Sequence, residues 1–273
     1  MLRQGATGAG QDSSIAVAGR PLSLKSFRFL LLAGIAAIAL GACATNHTTM
    51  SQPDYSGQSA TQSATALGQL AARYKSNPRD KATIIYYAAA LRAAGQPDQA
   101  VAVVEAGLGY YKNDADLQVA YAKALSSAGR FEQALNVIDD AIDPASPDWN
   151  ALLVKGAILD QSGRNEEARA AYNQALSFAP NQPSLEANIG LSYAMTNDLG
   201  QAEAHLRKAV GMPGATSKVR QNLALVIGLQ GRFDEAQQLF AAELPADQVE
   251  ANMAYIRALL TQQNRWDLIK GAK

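Results

Sequence analysis

A six-residue phrase returns along this chain at a fixed interval, and that interval limits what the chain can fold into. It stands at Gly129-Arg130-Phe131-Glu132-Gln133-Ala134, at Gly163-Arg164-Asn165-Glu166-Glu167-Ala168 and at Gly231-Arg232-Phe233-Asp234-Glu235-Ala236. A looser copy runs from Gly95 to Ala100. The starts at Gly95, Gly129 and Gly163 are evenly spaced, and Gly231 lies two such intervals beyond Gly163. The double gap predicts a degenerate copy at its middle, and Asn197-Asp198-Leu199-Gly200-Gln201-Ala202 fills it. Gly and Asn both tolerate the left-handed backbone that ends a helix. Five copies at one period make a repeat array, and this period, about 34 residues, is that of a helix–turn–helix unit.

With the phrase glycine at position 15, the units span 81–114, 115–148, 149–182, 183–216 and 217–250. Position 8 is then small throughout: Ala88, Ala122, Gly156, Gly190 and Ala224. Position 20 is alanine in every unit, from Ala100 to Ala236. Position 11 holds Leu91, Leu125, Leu159, Tyr193 and Ile227, and position 24 holds Val104, Ile138, Tyr172, Leu206 and Phe240. Small residues let the two helices of a unit approach, and large ones fill the space between units. These columns resemble the tetratricopeptide repeat. The resemblance implies an all-α solenoid of antiparallel helix pairs in a right-handed superhelix over 62–263. It consists of a partial repeat carrying Ala66, Leu70 and Pro78, the five units, and a capping helix from Ala251 to Gln263. Residues 264–273 break the pattern and read as a cap or tail. There Trp266 and Leu268 cover the last apolar face or, alternatively, serve a partner. Some positions depart from the pattern. Position 4 is polar at Gln118, Glu186 and Arg220, position 7 is Lys155 in the third unit, and Pro213-Gly214 suggests a looser connection.

Residues 1–42 read as an address. Arg20, Lys25 and Arg28 precede an uncharged run from Phe29 to Leu40, shorter than the roughly 20 residues of a membrane span. The run ends Leu40-Gly41-Ala42-Cys43, which resembles a bacterial lipobox, and Cys43 is the sole cysteine. That resemblance implies lipidation of Cys43 after removal of 1–42, whose first part is long enough to suggest a misassigned start. A short membrane anchor with an ordinary cysteine is the alternative reading. Acyl chains add about 0.8 kcal/mol per buried methylene. Ala44 after the cysteine implies the outer membrane, with the folded part facing the periplasm of a Gram-negative bacterium. Residues 43–61 are polar, rich in Thr, Ser and Gln, and read as a flexible tether.

In tetratricopeptide proteins the first helices line a groove, and the resemblance implies partner-binding residues on them. They are Ile85 and Ala89, Val119 and Lys123, Leu153 and Ala157, Leu191 and Met195, and Leu225 and Leu229. The row is apolar, with scattered polar groups at Arg92, Lys123 and Asp160, and suits an amphipathic helix. Packing between neighbouring helices is the other reading of each position. As a test of the row, Leu153→Glu with Leu191→Glu is expected to spare helicity and block partner capture.

Little in the sequence points to chemistry. There are two histidines, His47 and His205, and no Cys/His cluster with metal spacing. After Cys43 the chain holds 20 basic and 23 acidic residues, with no basic block, which argues against nucleic acid as a partner. We expect no enzyme activity, no cofactor, no metal and no small-molecule substrate. The order of lipobox, tether, repeats and terminal Asn264-Arg265-Trp266-Asp267 resembles the TadD-type lipoproteins of tight-adherence (Tad/Flp) pilus systems. That resemblance implies a pilotin-like role with protein partners in the pilus secretion machine, the secretin or its neighbours. The alternative is a periplasmic scaffold like the NlpI-type lipoproteins, serving cell-envelope enzymes or polysaccharide export.

Overall fold

The computed structural model describes the backbone of residues 60–271 and the side-chain surroundings of 64–262. The signal sequence, Cys43 and nearly all of the tether lie outside the described residues, as do the side chains of Trp266 and Leu268. Among the described residues there are twelve helices and no strand. A leading helix, α1 (Ala60–Ser76), is followed by five pairs. These are α2 (Lys81–Ala93) with α3 (Pro97–Tyr110), α4 (Ala115–Ser127) with α5 (Phe131–Ala141), and α6 (Trp149–Gln161) with α7 (Asn165–Phe178). Then come α8 (Pro183–Met195) with α9 (Leu199–Gly211), α10 (Ser217–Leu229) with α11 (Phe233–Ala241), and a closing helix α12 (Ala246–Gly271).

Each first helix is 13 residues long, and its two ends have local causes. Asp80, Asp114 and Asp148 cap the first three by accepting from the backbone N–H of Thr83, Leu117 and Asn150, satisfying orphan donors. These aspartates recur at the repeat period too, a signal outside the repeated phrase. Pro183 starts the fourth first helix, where a missing N–H costs nothing. The stops are the phrase itself. Gly95, Gly129, Gly163, Asn197 and Gly231 all have positive φ, between 63° and 83°. The residue after each donates back to position 11, as Arg130 does to the Leu125 carbonyl at 2.9 Å and Asp198 to Tyr193 at 3.0 Å. This is the Schellman closure of a helix, and Asn197 performs it as the glycines do.

Within a unit the helices meet at the small columns. All five alanines at position 20 are fully buried. A Cβ placed on Gly156 would come within 2.3 Å of the Tyr172 ring, and one on Gly190 within 2.9 Å of the Ala202 carbonyl. Glycine therefore appears at position 8 where the facing second helix comes closest.

The charged departures have partners. Glu186, 1% exposed, accepts from Lys208 Nζ at 2.6 Å and contacts His205 Nδ1 at 2.8 Å, both on its own second helix. Arg220 pairs with Glu243 through Nη2 at 3.1 Å, and Lys155 with Asp139 at 2.7 Å. A charge at these sites is kept because its counter-charge is built in. The connection holding Pro213 and Gly214 is a compact turn, with the Ala215 N–H donating to the Met212 carbonyl at 3.2 Å. The longest link between units is instead 142–148, around Pro144 and Pro147.

The end of the array differs from expectation. The helix does not stop after Gln263 but runs unbroken to Gly271. The cause is local: the position where each unit carries its stop glycine or asparagine is occupied by Arg265, and no Gly or Pro occurs from 246 to 270. Val249, Met253 and Ile256 of α12 are buried and close the last apolar face.

Gly156→Ala is expected to lower stability by about 1–3 kcal/mol, because the ring of Tyr172 must move from a packed site. Ala122→Gly, at the same position of the second unit, is expected to cost only about 1 kcal/mol. Urea titration of the two variants checks the order.

Candidate partner-binding face

The first helices of successive units pack directly on one another, α2 on α4, α4 on α6, α6 on α8 and α8 on α10. No pair of second helices makes comparable contact. A stack that is tight along one side and open along the other bends toward the tight side. The first helices therefore form one continuous inner wall, and the second helices fan outward.

The ten residues of the expected row all lie on that wall, two per first helix. Ile85, Ala89, Val119, Lys123, Leu153, Ala157, Leu191 and Leu225 are buried. Met195 and Leu229 are half-buried, each at the C-terminal end of its helix. Much of the row is thus the floor of the wall, and its accessible apolar surface gathers at the ends of α8 and α10. The substitution test suggested by sequence is corrected accordingly. Leu153 and Leu191 are 3% and 1% exposed, so a glutamate at either would be a buried, unpaired charge and would not spare the fold.

The polar groups of the wall are also engaged. Arg92 donates from Nε to Ser127 Oγ at 2.9 Å. Asp160 is 6% exposed and accepts from three side chains. Asn165 Nδ2 and Ser192 Oγ each reach Oδ1 at 2.7 Å, and Tyr172 OH reaches Oδ2 at 3.0 Å. Burial pushes this carboxyl up to about 6, against those three bonds and the nearby Arg169 guanidinium, which pull it down. Burial also pushes Glu186 up, but its bonds from Lys208 and His205 outweigh that and hold it below the ordinary glutamate range. On the outer side Glu203 is opposed by burial yet drawn to about 2 by Gln230, Arg232 and Arg207.

One residue of the wall escaped the reading of the row. Asn222 on α10 is buried, and neither polar atom of its amide has a hydrogen-bond partner. It shares a helix face with Leu225 and Leu229 by the three- and seven-residue spacing. Its signal was present: Asn188 stands one repeat earlier at the same position, buried, with Nδ2 donating to the Ser184 carbonyl at 2.7 Å. Among the described residues no group of three or more His, Cys, Asp or Glu could hold a metal ion. No described helix is long and apolar enough to cross a membrane.

Leu153→Glu or Leu191→Glu is expected to lower stability by at least about 3 kcal/mol. Met195→Glu with Leu229→Glu is expected to stay within about 1 kcal/mol of the parent. Thermal melts followed by circular dichroism separate the two pairs.

Tetratricopeptide-repeat models match residues 91–156, 150–182 and 220–242. A comparison with curated proteins finds no match. Among solved structures, a thermophilic TPR protein of Thermus thermophilus superposes with a TM-score of 0.56 at 22% identity, covering 64% of this chain and 97% of that one. PilW, described as a widely conserved type IV pilus biogenesis factor, superposes with a TM-score of 0.53 at 16% identity, covering 88% of this chain and 99% of its own. At these identities the likeness is one of fold. The repeat columns, the Schellman stops, the directly stacked first helices and these matches together identify the chain as an all-α tetratricopeptide-repeat solenoid.

Proposed function

We propose that this chain is a non-enzymatic adaptor that holds protein partners against its inner wall and serves a pilus secretion machine of the Tad/Flp type. Its lipid on Cys43 addresses it to the outer membrane, facing the periplasm. The partner is the secretin, or a neighbour of it in the machine. The observation that carries the reading is the continuous wall of five first helices, apolar along its row. Such a wall is a surface for laying in a segment of another chain. Met195 and Leu229 supply its accessible apolar end. The lipobox, tether and terminal Asn264-Arg265-Trp266-Asp267 support the pilus assignment. PilW, a pilus biogenesis factor, has the same kind of fold.

The test is the amount of assembled secretin in the outer membrane with the gene intact, deleted, and carrying Cys43→Ser. Deletion is expected to remove the assembled secretin, and Cys43→Ser to reduce or misplace it. Normal secretin in all three strains would reject the pilotin-like role in favour of a scaffold for cell-envelope enzymes.

A further inference from the structure

The apolar interior of the solenoid is not continuous. One cluster of buried side chains begins at Ile84 and ends with Leu185 and Ile189, and a second begins at Ala187 and ends at Ile256. Both boundaries fall on α8, and Tyr193 of that helix touches both clusters. Where the apolar contacts divide, buried polar side chains take their place: Ser184, Glu186, Asn188 and Ser192 all lie on α8.

Two carboxylates tie this helix to its neighbours. On one side Asp160 of α6 binds Ser192 of α8 together with Asn165 and Tyr172 of α7. On the other side Glu186 of α8 is held by His205 and Lys208 of α9. Tyr193 links the two: the Arg169 guanidinium lies 4.6 Å from its ring centroid, and the His205 ring stacks on it at 5.5 Å. Arg169 also donates to Ser192 at 3.4 Å.

We propose that α8 is a proton-operated joint between the two halves of the solenoid, with the Asp160 carboxyl as its sensor. Such a joint would act whichever partner the wall holds. Asp160 is suited to the role because it has three neutral donors and no direct ion pair, unlike Glu186. The helices packed against α6 present few other charges. They are Arg169, Glu166 and Glu167 with Tyr172 on α7, Lys123 and Asp116 with Tyr121 on α4, Glu186 with Tyr193 on α8, and Glu132, Asp139 and Asp140 on α5; of these Glu167 is paired with Arg164, Asp116 with Lys81 and Asp139 with Lys155.

The direction follows from linkage. Burial raises the Asp160 carboxyl to about 6 in the folded chain. A carboxyl raised in this way contributes stability that is fully present below its unfolded value, near 3.8, and is lost as pH rises through about 6. The joint is therefore tighter when Asp160 is protonated and opens more readily when it is ionised. Glu186 and Glu203 are lowered and act in the opposite sense, below the ordinary glutamate range.

The experiment is amide hydrogen exchange of the full chain at about pH 5 and about pH 7.5, corrected for intrinsic rates, in the parent, Asp160→Asn and Glu186→Gln. In the parent, opening of α6 and α8 is expected to rise by about tenfold between the two conditions. Asp160→Asn is expected to keep the acid-side level at both, and Glu186→Gln to retain the rise. The same rise in Asp160→Asn, no rise in the parent, or loss of the rise in Glu186→Gln would each overturn the proposal. Should Asp160→Asn fail to fold, carbon NMR of the Asp160 carboxyl in the parent decides. Titration near 6 sustains the sensor, and titration in the ordinary aspartate range overturns it.

Discussion

The fold depends on how closely two helices can approach within each unit. At position 20 an alanine, fully buried in all five units, faces a small residue at position 8. In the third unit the Tyr172 ring lies so close that even an alanine is too much, and Gly156 takes the site. Close approach leaves the large residues at positions 11 and 24, such as Leu125, Ile138, Tyr172 and Leu206, almost fully buried. The Schellman stops then set the length of each first helix, so that these contacts repeat in register.

From this local rule the curvature follows. The first helices pack on one another along the array, whereas the second helices make no comparable contact beyond side-chain pairs such as Arg207 with Glu235, so the wall on one side is continuous. The same tightness consumes most of the apolar row. A residue such as Leu191 cannot pack against adjacent first helices and also lie open to a partner. What remains accessible is found near the ends of helices, at Met195 and Leu229, where the stacking loosens.

The helix pairs and their stops were legible in the sequence because each depends on residues within one unit. Gly129 and Asn197 could be read as stops from their place in the phrase, and both adopt the left-handed backbone. For Leu153 and Leu191 the sequence left groove and helix packing both open, because the choice depends on the spacing between units, which no single-helix pattern encodes; both are buried. Glu186 looked like a departure until His205 and Lys208, on the facing helix, showed how its charge is held. The unbroken run of α12 could have been read from Arg265, which stands where the other units end a helix.

The outward fan of the second helices has a mechanical consequence. A load drawn along the array is borne at the seams between units, through first-helix contacts and the links that follow each second helix. Helical hydrogen bonds run within each helix and are not stretched until those seams have opened. At α8, where two apolar clusters meet across a polar helix, the seam is held by side-chain hydrogen bonds and ion pairs as well as by apolar contact. A load there meets charge-assisted bonds, which hold only while their partners stay aligned.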